Sequence, residues 1–373
     1  MNLREFQKFF FTALLLSTTA GAQVFDAQTL GLTTEKQSRN YWLEQSVKQN
    51  SIPITSSLLS SQQIDAINQK LRETEPSYTD IKILPKQMPA SQIRERINRL
   101  SKRPVKKLYD QYGVLLSEQN IDLILGNVNL HSLSGNQTVN FGLIVKRTAL
   151  RTFPTDLRVF KQPGDTDIDR FQESALFPGT PVAILQKSTD QQWLFIVSEW
   201  YSAWVKSEDV ALGNQAEVLA YAESKPRVII TDADARTAFT PERPEISSLS
   251  LDMGISLPYL KQWPITEVVN GQGSLGSYVI SLPIRNAHGS LEVIPALLPN
   301  KYNFQEQYLA ISDMDLLLQS FKFLGERYGW GHDYGTRDCS GFVSEVYRSM
   351  GLLLPRNTSD QERSLAYDRE PFA

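Results

Sequence analysis

The sequence has 373 residues, which is too long for one ordinary domain and indicates two or three of about 100–200 residues each. Hydrophobic residues make up 41% and charged residues 21%, as in a folded globular protein. A net charge of −3 argues against a nucleic-acid partner bound through an overall basic surface. One Cys excludes an internal disulfide framework, and the three His, none in an HxxxH or HxH spacing, argue against a metal centre.

The first 22 residues have the pattern of a secretory signal. Arg4 and Lys8 supply a positive start, the run 9–16 is apolar, and small residues at 20–22 fit a cleavage site. The apolar run is far shorter than the ~20 residues that a membrane-spanning helix needs. We therefore predict an exported protein without an integral membrane segment, whose mature chain begins near Gln23.

The next region, residues 23–140, is predicted to be a mainly helical stabilising domain. Residues 23 to about 60 are polar and are expected to form an extended leader. Ile64, Ile67 and Leu71 then recur at helical spacing after the candidate cap Ser61, and a second apolar stripe predicts a helix over 91–100. Basic residues cover the other faces of that second helix; a solvated face explains them better than docking of an anionic polymer.

From residue 141 the pattern changes to short strands rich in β-branched and aromatic residues, which indicates small β-barrels. Residues 141–212 resemble a bacterial SH3 domain, in which a Gly-Trp-Val-type strand follows a Trp-bearing strand. Here Ala203 takes the place of the Gly ahead of Trp204 and Val205. We predict a second SH3-like barrel over 213–305. Neither segment contains a nucleophile–base pair, so alone each would be a binding or scaffold module.

The candidate chemistry lies in residues 306–373. A helix capped by Ser312 or Asp313 is expected to stop at Gly325, and a glycine-rich loop follows it. Asp338 is the expected cap of a second helix whose first turn carries Cys339. Unpaired backbone N–H groups at that position favour a thiolate and could hold a developing oxyanion. A buried structural Cys is the alternative, but the DCSGF context in an exported chain with one Cys favours a reactive thiol.

Three motifs in this region carry a resemblance to a known family. They are Tyr328-Gly329-Trp330-Gly331, Asp338-Cys339-Ser340-Gly341-Phe342, and Leu354-Pro355-Arg356-Asn357-Thr358 with Gln361 after it. The region resembles the NlpC-type cysteine peptidases of the bacterial cell wall, which have a papain-like fold. The upstream order of a helical domain and two SH3-type barrels is similar to one multidomain branch. The expected fold class is therefore multidomain α+β, with a helical N-terminal region, two small SH3-like barrels and part of a papain-like domain.

The resemblance implies an enzyme that cleaves peptidoglycan stem peptides, commonly between γ-D-glutamate and a diamino acid. The steps would be thiolate attack by Cys339, an acyl-enzyme, and hydrolysis. No metal or organic cofactor is implied. The implied partners are peptidoglycan peptides, and the implied location is the periplasm or cell envelope of a bacterium.

The resemblance also implies five substrate-binding positions. Tyr328 would lie near the oxyanion and line the pocket, and Thr358 would line the cleft. Asp338 and Ser340 would bind the free amine of the substrate or the adjacent backbone. Tyr201 of the first barrel would close one end of the cleft, although a packed barrel aromatic is an equally good explanation for it.

Two departures from the family pattern bear on activity. His332 replaces the second Gly of the YxWGG loop, and no His follows Cys339, where the family has its catalytic His on a strand. We therefore expect the C-terminal part of the peptidase domain to be missing, and hydrolysis to be very weak. The apolar helix face of Phe342, Val346 and Met350 would then lack its partner.

Other functions remain open at this stage. His332 is a weak candidate for a substitute base, while His131 and His288 are more simply surface or turn residues. A non-catalytic wall-binding or scaffold protein that uses its barrels is the main alternative to a peptidase. An acyltransferase, which would pass the acyl group to an amine instead of water, is a weaker one.

Overall fold

The computed structural model describes residues 33–49 and 53–367. The predicted signal at 1–22 lies outside these ranges. The α-helices of the described part are α1 Arg39–Gln49, α2 Ser61–Thr74, α3 Ala90–Leu100, α4 Glu118–Asn127, α5 Gln215–Glu223, α6 Asp313–Phe321, α7 Cys339–Arg348 and α8 Thr358–Arg363. None of these described helices has the length and apolar character needed to cross a membrane.

Short strands connect the helices in the first half of the chain and dominate its middle. They are β1 Gln87–Pro89, β2 Tyr109–Asp110, β3 Asn136–Thr138, β4 Asn140–Ile144, β5 Thr148–Arg151, β6 Val159–Phe160, β7 Gln172–Leu176, β8 Pro181–Lys187, β9 Trp193–Val197, β10 Ser202–Lys206 and β11 Val210–Gly213. The second half adds β12 Arg227–Ile230, β13 Asp234–Arg236, β14 Ser250–Asp252, β15 Ser256–Pro258, β16 Val268–Val269, β17 Gln272–Gly273, β18 Ser277–Arg285, β19 Leu291–Pro299 and β20 Phe304–Gln305.

The largest sheet has seven antiparallel strands in the order β11-β4-β8-β9-β10-β5-β7. The Trp204 side chain is fully buried at its centre, opposite Phe195 in the strand register. Its indole N–H donates to the Ser101 hydroxyl at the end of α3, 3.1 Å away. The helical region and this sheet therefore share one core. The edge strand β7, which the sequence pattern did not predict, faces the candidate site.

The second β region contains a three-stranded sheet, β15-β12-β20, and the hairpins β13–β14, β16–β17 and β18–β19. The longest hairpin pairs Ser277–Arg285 with Leu291–Pro299 over nine residues of each strand. Helix α5 precedes it and begins at a capping box of Asn214 and Glu217, a signal that the β assignment overlooked. The multidomain α+β fold class is confirmed, while the boundaries of the second barrel stay a prediction.

The prediction of an extended leader is wrong for residues 39–49, which form α1. This helix packs against α6, and the Ser46 hydroxyl donates to a carboxylate oxygen of Asp313, 2.8 Å away. Its apolar residues form no clear stripe, so tertiary packing rather than amphipathic spacing holds it. Helix α2 forms where expected, but Ser60, not Ser61, caps it through a capping box with Gln63.

The apolar face of α7 is not left uncovered, so that expectation is wrong too. Val346 is 3% exposed and Met350 is 1% exposed, and Phe342 is half-buried. They pack in one cluster with Met253 of the second β region and Ile64 of α2. Segments that precede the peptidase motifs therefore cover the helix that carries Cys339.

Asn68 of α2 ties the N-terminal region to the end of α7. Its side-chain amide donates to the carbonyl of Gly351 at 2.8 Å, and its carbonyl oxygen accepts from the N–H of Leu353 at 2.9 Å. Asn68 is buried, so removal of its amide would leave two backbone groups without partners.

We expect Asn68→Ala to lower the thermal unfolding midpoint by about 5 °C or more, because an orphaned buried group costs about 1–3 kcal/mol. Differential scanning calorimetry would measure the midpoint. The matched control is Gln62→Ala on an exposed position of the same helix. Equal midpoints for the two variants would contradict this role of Asn68.

Candidate active site

Cys339 is the first residue of α7, and its side chain is exposed. The Asp338 side chain caps the helix by accepting the N–H of Gly341 at 2.8 Å. The predicted start of this helix and its cap are confirmed. The thiol therefore lies at the positive end of the helix dipole, next to backbone N–H groups of the first turn.

Two of the predicted pocket residues lie beside the thiol. The Thr358 hydroxyl, at the start of α8, is 3.4 Å from the sulfur of Cys339. Partial burial raises the pKa of the Tyr328 phenol, and the neighbouring Cys339 and Asp338 raise it further. A cavity of about 430 Å³ opens here, lined by Tyr328, Leu324 and Phe342 among others. The sulfur is thus close to a hydroxyl group and to a partly apolar cavity.

The Asp338 carboxylate is saturated with hydrogen bonds. Besides Gly341, it accepts the N–H of Gly331 at 3.0 Å and both terminal nitrogens of Arg356 at 2.9 and 3.2 Å. The Ser340 hydroxyl also points at it, 3.3 Å away. Burial raises the pKa of Asp338, but the Arg356 guanidinium outweighs this and holds the pKa below its usual range. Arg356 belongs to the third motif quoted from the sequence, yet its pairing with Asp338 was not predicted.

His332 does not contact the thiol. Its side chain is 3% exposed beneath α7, with Nδ1 2.8 Å from Arg356 and Nε2 3.0 Å from Glu345. Burial and the Arg356 charge hold the pKa of His332 well below its usual value. Both ring nitrogens are occupied, so the weak hypothesis of His332 as a substitute base is wrong. His131 and His288 are exposed and lie in other regions, as expected.

Tyr201 lies in the first barrel and meets a carboxylate that sequence reasoning missed. Its hydroxyl donates to Glu173 of β7 at 2.6 Å, and Thr152 donates to the other oxygen of Glu173. Burial and the Glu173 charge both raise the pKa of Tyr201. Within the described residues no cation pairs with Glu173. The run QESAL gave no signal for this strand, since Glu and Ser are poor strand formers.

The barrel edge strand β7 is joined to the loop that leads into Cys339. Gln172 donates through its side chain to the carbonyl of Gly331 at 2.8 Å, and the Trp330 indole donates to the Gln172 carbonyl at 3.1 Å. A Cβ on Gly331 would lie 2.9 Å from the backbone of Glu173. The glycine is therefore needed for this close approach of backbones, and it brings the Glu173–Tyr201 pair next to the Asp338 region.

Arg337, directly before Asp338, anchors the other side of the loop. It is 2% accessible and pairs with Glu345, Glu326 and Asp252. Arg147, between β4 and β5, donates to the same Asp252 carboxylate and to the carbonyl of Thr336, both at 3.1 Å. Both β regions thus contact the peptidase segment through buried charges. Sequence reading assigned Glu345 no role, because a Glu on a helix is usually solvated.

Among the described residues, no group of three or more His, Cys, Asp or Glu side chains could hold a metal ion. The titratable groups near Cys339 form ion pairs with one another instead. The arrangement offers a thiol at a helix N-terminus, a capping carboxylate that already accepts several hydrogen bonds, a phenol, a hydroxyl and a second carboxylate nearby. Such a set suits nucleophilic attack by sulfur on a carbonyl carbon.

Comparison with known proteins agrees with this geometry. Residues 325–370 match the NlpC/P60 family, and residues 158–206 match the SH3 domain of SH3b1 type. A γ-D-glutamyl-L-lysine dipeptidyl-peptidase of Bacillus cereus is 25% identical over 219 residues, which cover 55% of this chain and 58% of that protein. A solved NlpC/P60 endopeptidase from Photobacterium damselae subsp. piscicida has a TM-score of 0.64 at 19% identity, covering 83% of this chain and 66% of that one.

The fold and the site thus define a multidomain α+β protein with a helix-terminal cysteine. Its segments match an NlpC-type peptidase domain and an SH3-type domain, so the chain resembles the NlpC-type cysteine peptidases that carry an SH3-type domain. It spans 58% of the length of the curated relative and 66% of the length of the solved structure. The resemblance inferred from the motifs is confirmed.

The lowered pKa of Asp338 makes a prediction about stability and pH. A carboxyl whose pKa is lower in the folded state than in the unfolded state stabilises the fold at pH values above its unfolded-state pKa, which is about 3.9 for Asp. This stabilisation is lost as the pH falls through the folded-state pKa. We expect Asp338→Asn, which retains a good helix cap, to lower the melting temperature at pH 7. The deficit should shrink steadily as the pH falls below about 4.

Melting curves between pH 7 and pH 3 would measure this difference. The control is Asp65→Asn, at an exposed position of α2 for which no ion pair occurs in the described part of the chain. A deficit for Asp338→Asn that stays constant over this range would contradict the Arg356 pairing as its cause.

Proposed function

We propose that this site cleaves peptidoglycan stem peptides at the amide between γ-D-glutamate and a diamino acid, with Cys339 as nucleophile. The observation that carries the proposal is the exposed thiol at the N-terminus of α7, 3.4 Å from Thr358 and beside Tyr328. The Bacillus relative is named as a γ-D-glutamyl-L-lysine dipeptidyl-peptidase, which is an activity of the same kind. The predicted export to the periplasm or cell envelope would bring the chain to this substrate.

In the proposed reaction the thiolate of Cys339 attacks the amide carbonyl carbon. The oxyanion would be held by first-turn N–H groups of α7 and by the phenol of Tyr328. The C–N bond then breaks, the leaving amine gains a proton, and a thioester remains. Water hydrolyses the thioester, which frees the acid and the thiol.

Proton transfer is the step that the described residues support least. No imidazole among them contacts Cys339, and the nitrogens of His332 are both occupied. General acid–base catalysis typically contributes about 10²–10⁴-fold. We therefore expect slow turnover by these 373 residues, with acylation of the thiol easier to detect than hydrolysis.

We assign recognition of the substrate amine to the contact region between the first barrel and the peptidase segment, which is formed by β7 and the loop that leads into Cys339. The charge of Asp338 is compensated by Arg356, and Ser340 is 5% exposed and bonded to the same guanidinium. Glu173, in contrast, has no cationic partner in the described structure, and Tyr201 orients it. We assign the free amine to Glu173 and Tyr201, with Asp338 and Ser340 supporting the site and Thr358 lining the cleft at the sulfur.

The non-catalytic wall-binding protein is the second candidate function. The specific observation in its favour is the engagement of both His332 nitrogens away from the sulfur. In that case the two β regions would bind peptidoglycan and the Cys339 segment would not turn over substrate. The two candidates differ in one measurable property, the dependence of product formation on Cys339.

We expect Cys339→Ala to abolish release of the diamino acid product from muropeptides while peptidoglycan pull-down is unchanged. Mass spectrometry of the digest would measure the product, and it would also reveal an amine-transfer product if the chain is an acyltransferase. Hydrolysis that survives in Cys339→Ala would contradict the peptidase proposal. Pull-down without any product in the unmodified chain would favour the wall-binding protein.

Glu173→Gln should weaken binding of a muropeptide with a free amino terminus by about tenfold or more, because a hydrogen bond to a charged group contributes about 1.5–3 kcal/mol. Calorimetric titration of the Cys339→Ala protein would measure the dissociation constant without turnover. The matched control is Glu208→Gln on an exposed part of the same barrel. The N-acetylated muropeptide should show no loss; an equal loss for both ligands would contradict amine binding by Glu173.

A further inference from the structure

His332 adopts a backbone conformation that few side-chain-bearing residues adopt. Its φ is 62° and its ψ is 24°, in the left-handed region. A non-glycine residue held there costs about 1–3 kcal/mol unless its surroundings compensate. Burial of the imidazole and hydrogen bonds to both of its nitrogens provide this compensation.

The partners of the imidazole fix its tautomer. Arg356 can only donate, so Nδ1 must be the unprotonated nitrogen that accepts its N–H. Nε2 then carries the proton of the neutral ring and donates to the carboxylate of Glu345. A proton on Nδ1 would point at the guanidinium, so the neutral Nε2–H form is the one that fits.

With His332 in place, every N–H of Arg356 has an acceptor. A guanidinium has five N–H groups in a fixed plane. Its Nε donates to the Ser174 hydroxyl at 2.6 Å, and one terminal nitrogen donates to Asp338 and Ser340. The other terminal nitrogen donates to Asp338 and to His332. Loss of the imidazole would remove one of these five acceptors and free the plane to turn away from Asp338.

The space around the ring is shaped to hold it. A Cβ on Gly341, in the first turn of α7, would lie 2.4 Å from Cε1 of His332. On another side the ring meets the Phe177 ring edge-on, with centroids 5.7 Å apart. The charged groups that face the imidazole come from α7, from both β regions and from the loop before α8: Arg356, Asp338, Glu345, Arg147 and Asp252.

We propose that His332 is a positioning residue that sets the reactivity of Cys339 by locking Arg356 onto Asp338. This inference rests on the proposed role of Cys339 as nucleophile. The ring nitrogens of His332 bond to Glu345 and Arg356 and not to the sulfur, so His332 acts through the charge that lies next to the sulfur. When Arg356 is locked, the negative charge of the helix cap is compensated.

The sign of the effect follows from electrostatics. If Arg356 turns away, the Asp338 carboxylate stands uncompensated one residue from Cys339 and disfavours the thiolate. His332→Gly should therefore lower the alkylation rate of Cys339 at pH 7 by about threefold to tenfold and move the midpoint of its rate–pH profile upward. His332→Gln should restore both, because its amide oxygen can accept from Arg356 while its N–H donates to Glu345.

The test measures iodoacetamide alkylation of the folded chain between pH 5 and pH 10, followed by intact mass. Since the chain has one Cys, each adduct reports on Cys339. The control is His288→Asn, an exposed histidine of the second β region. Alkylation needs no peptide substrate, so this test stands whether or not muropeptides are hydrolysed.

A purely structural His332 would change the melting temperature and leave the rate–pH profile of the folded protein as it is. A wild-type profile for His332→Gly, or a His332→Gln variant as slow as His332→Gly, would overturn the proposal. Gly341→Ala provides a second variant, which retains His332 but displaces its ring; it should reproduce the shifted midpoint. An unshifted midpoint in Gly341→Ala would count against the lock.

Nitrogen NMR gives an independent readout. In a His131→Asn, His288→Asn background, His332 is the only imidazole. We expect a protonated Nε2 and an unprotonated Nδ1 from pH 5 to pH 8. The opposite tautomer, or an imidazolium at pH 6, would overturn the proposal.

Discussion

The ion pair between Asp338 and Arg356 is the interaction on which the rest of the site depends. Asp338 caps the helix of Cys339, and without a counter-charge the cap would place a carboxylate next to the thiol. Arg356 removes that conflict because it binds both oxygens of Asp338. The cap can then position the helix terminus without opposing a thiolate at the next residue.

This pair also couples the peptidase segment to the first barrel. Arg356 donates to Ser174 on β7. On the same strand, Gln172 contacts the loop before Cys339, and Glu173 accepts a hydrogen bond from Tyr201. The second β region contributes Asp252 to the buried Arg337 pairing on the other side of the loop. A barrel that would alone be a binding module thus forms one wall of the candidate active site. The apolar face of α7 is buried by a different contact, with Met253 of the second β region and Ile64 of α2.

The sequence predicted local features well and long-range partners poorly. Caps and the first turn of α7 depend on neighbouring residues, so Ser312 and Asp338 could be assigned from the pattern. The helix expected to stop at Gly325 ends at Phe321, although Gly325 does adopt the left-handed conformation. Helix α1 has no amphipathic stripe, and it was missed for that reason. Glu173, Glu345 and the orientation of His332 depend on contacts with residues far away in the chain. No local pattern distinguishes a buried, paired Glu from a solvated one.

The central claim is that the Cys339 thiol, the Asp338 cap and the Glu173–Tyr201 pair of the first barrel form one acyl-transfer site. Its most direct test is to treat the chain with a γ-D-glutamyl ester that has a free amino terminus and a nitrophenolate leaving group, which needs no proton. The account predicts one acyl adduct per chain, mapped by peptide mass spectrometry to Cys339. The adduct should form much more slowly when the amine of the ester is acetylated. An absent adduct, or equal rates for the free and acetylated esters, would contradict it.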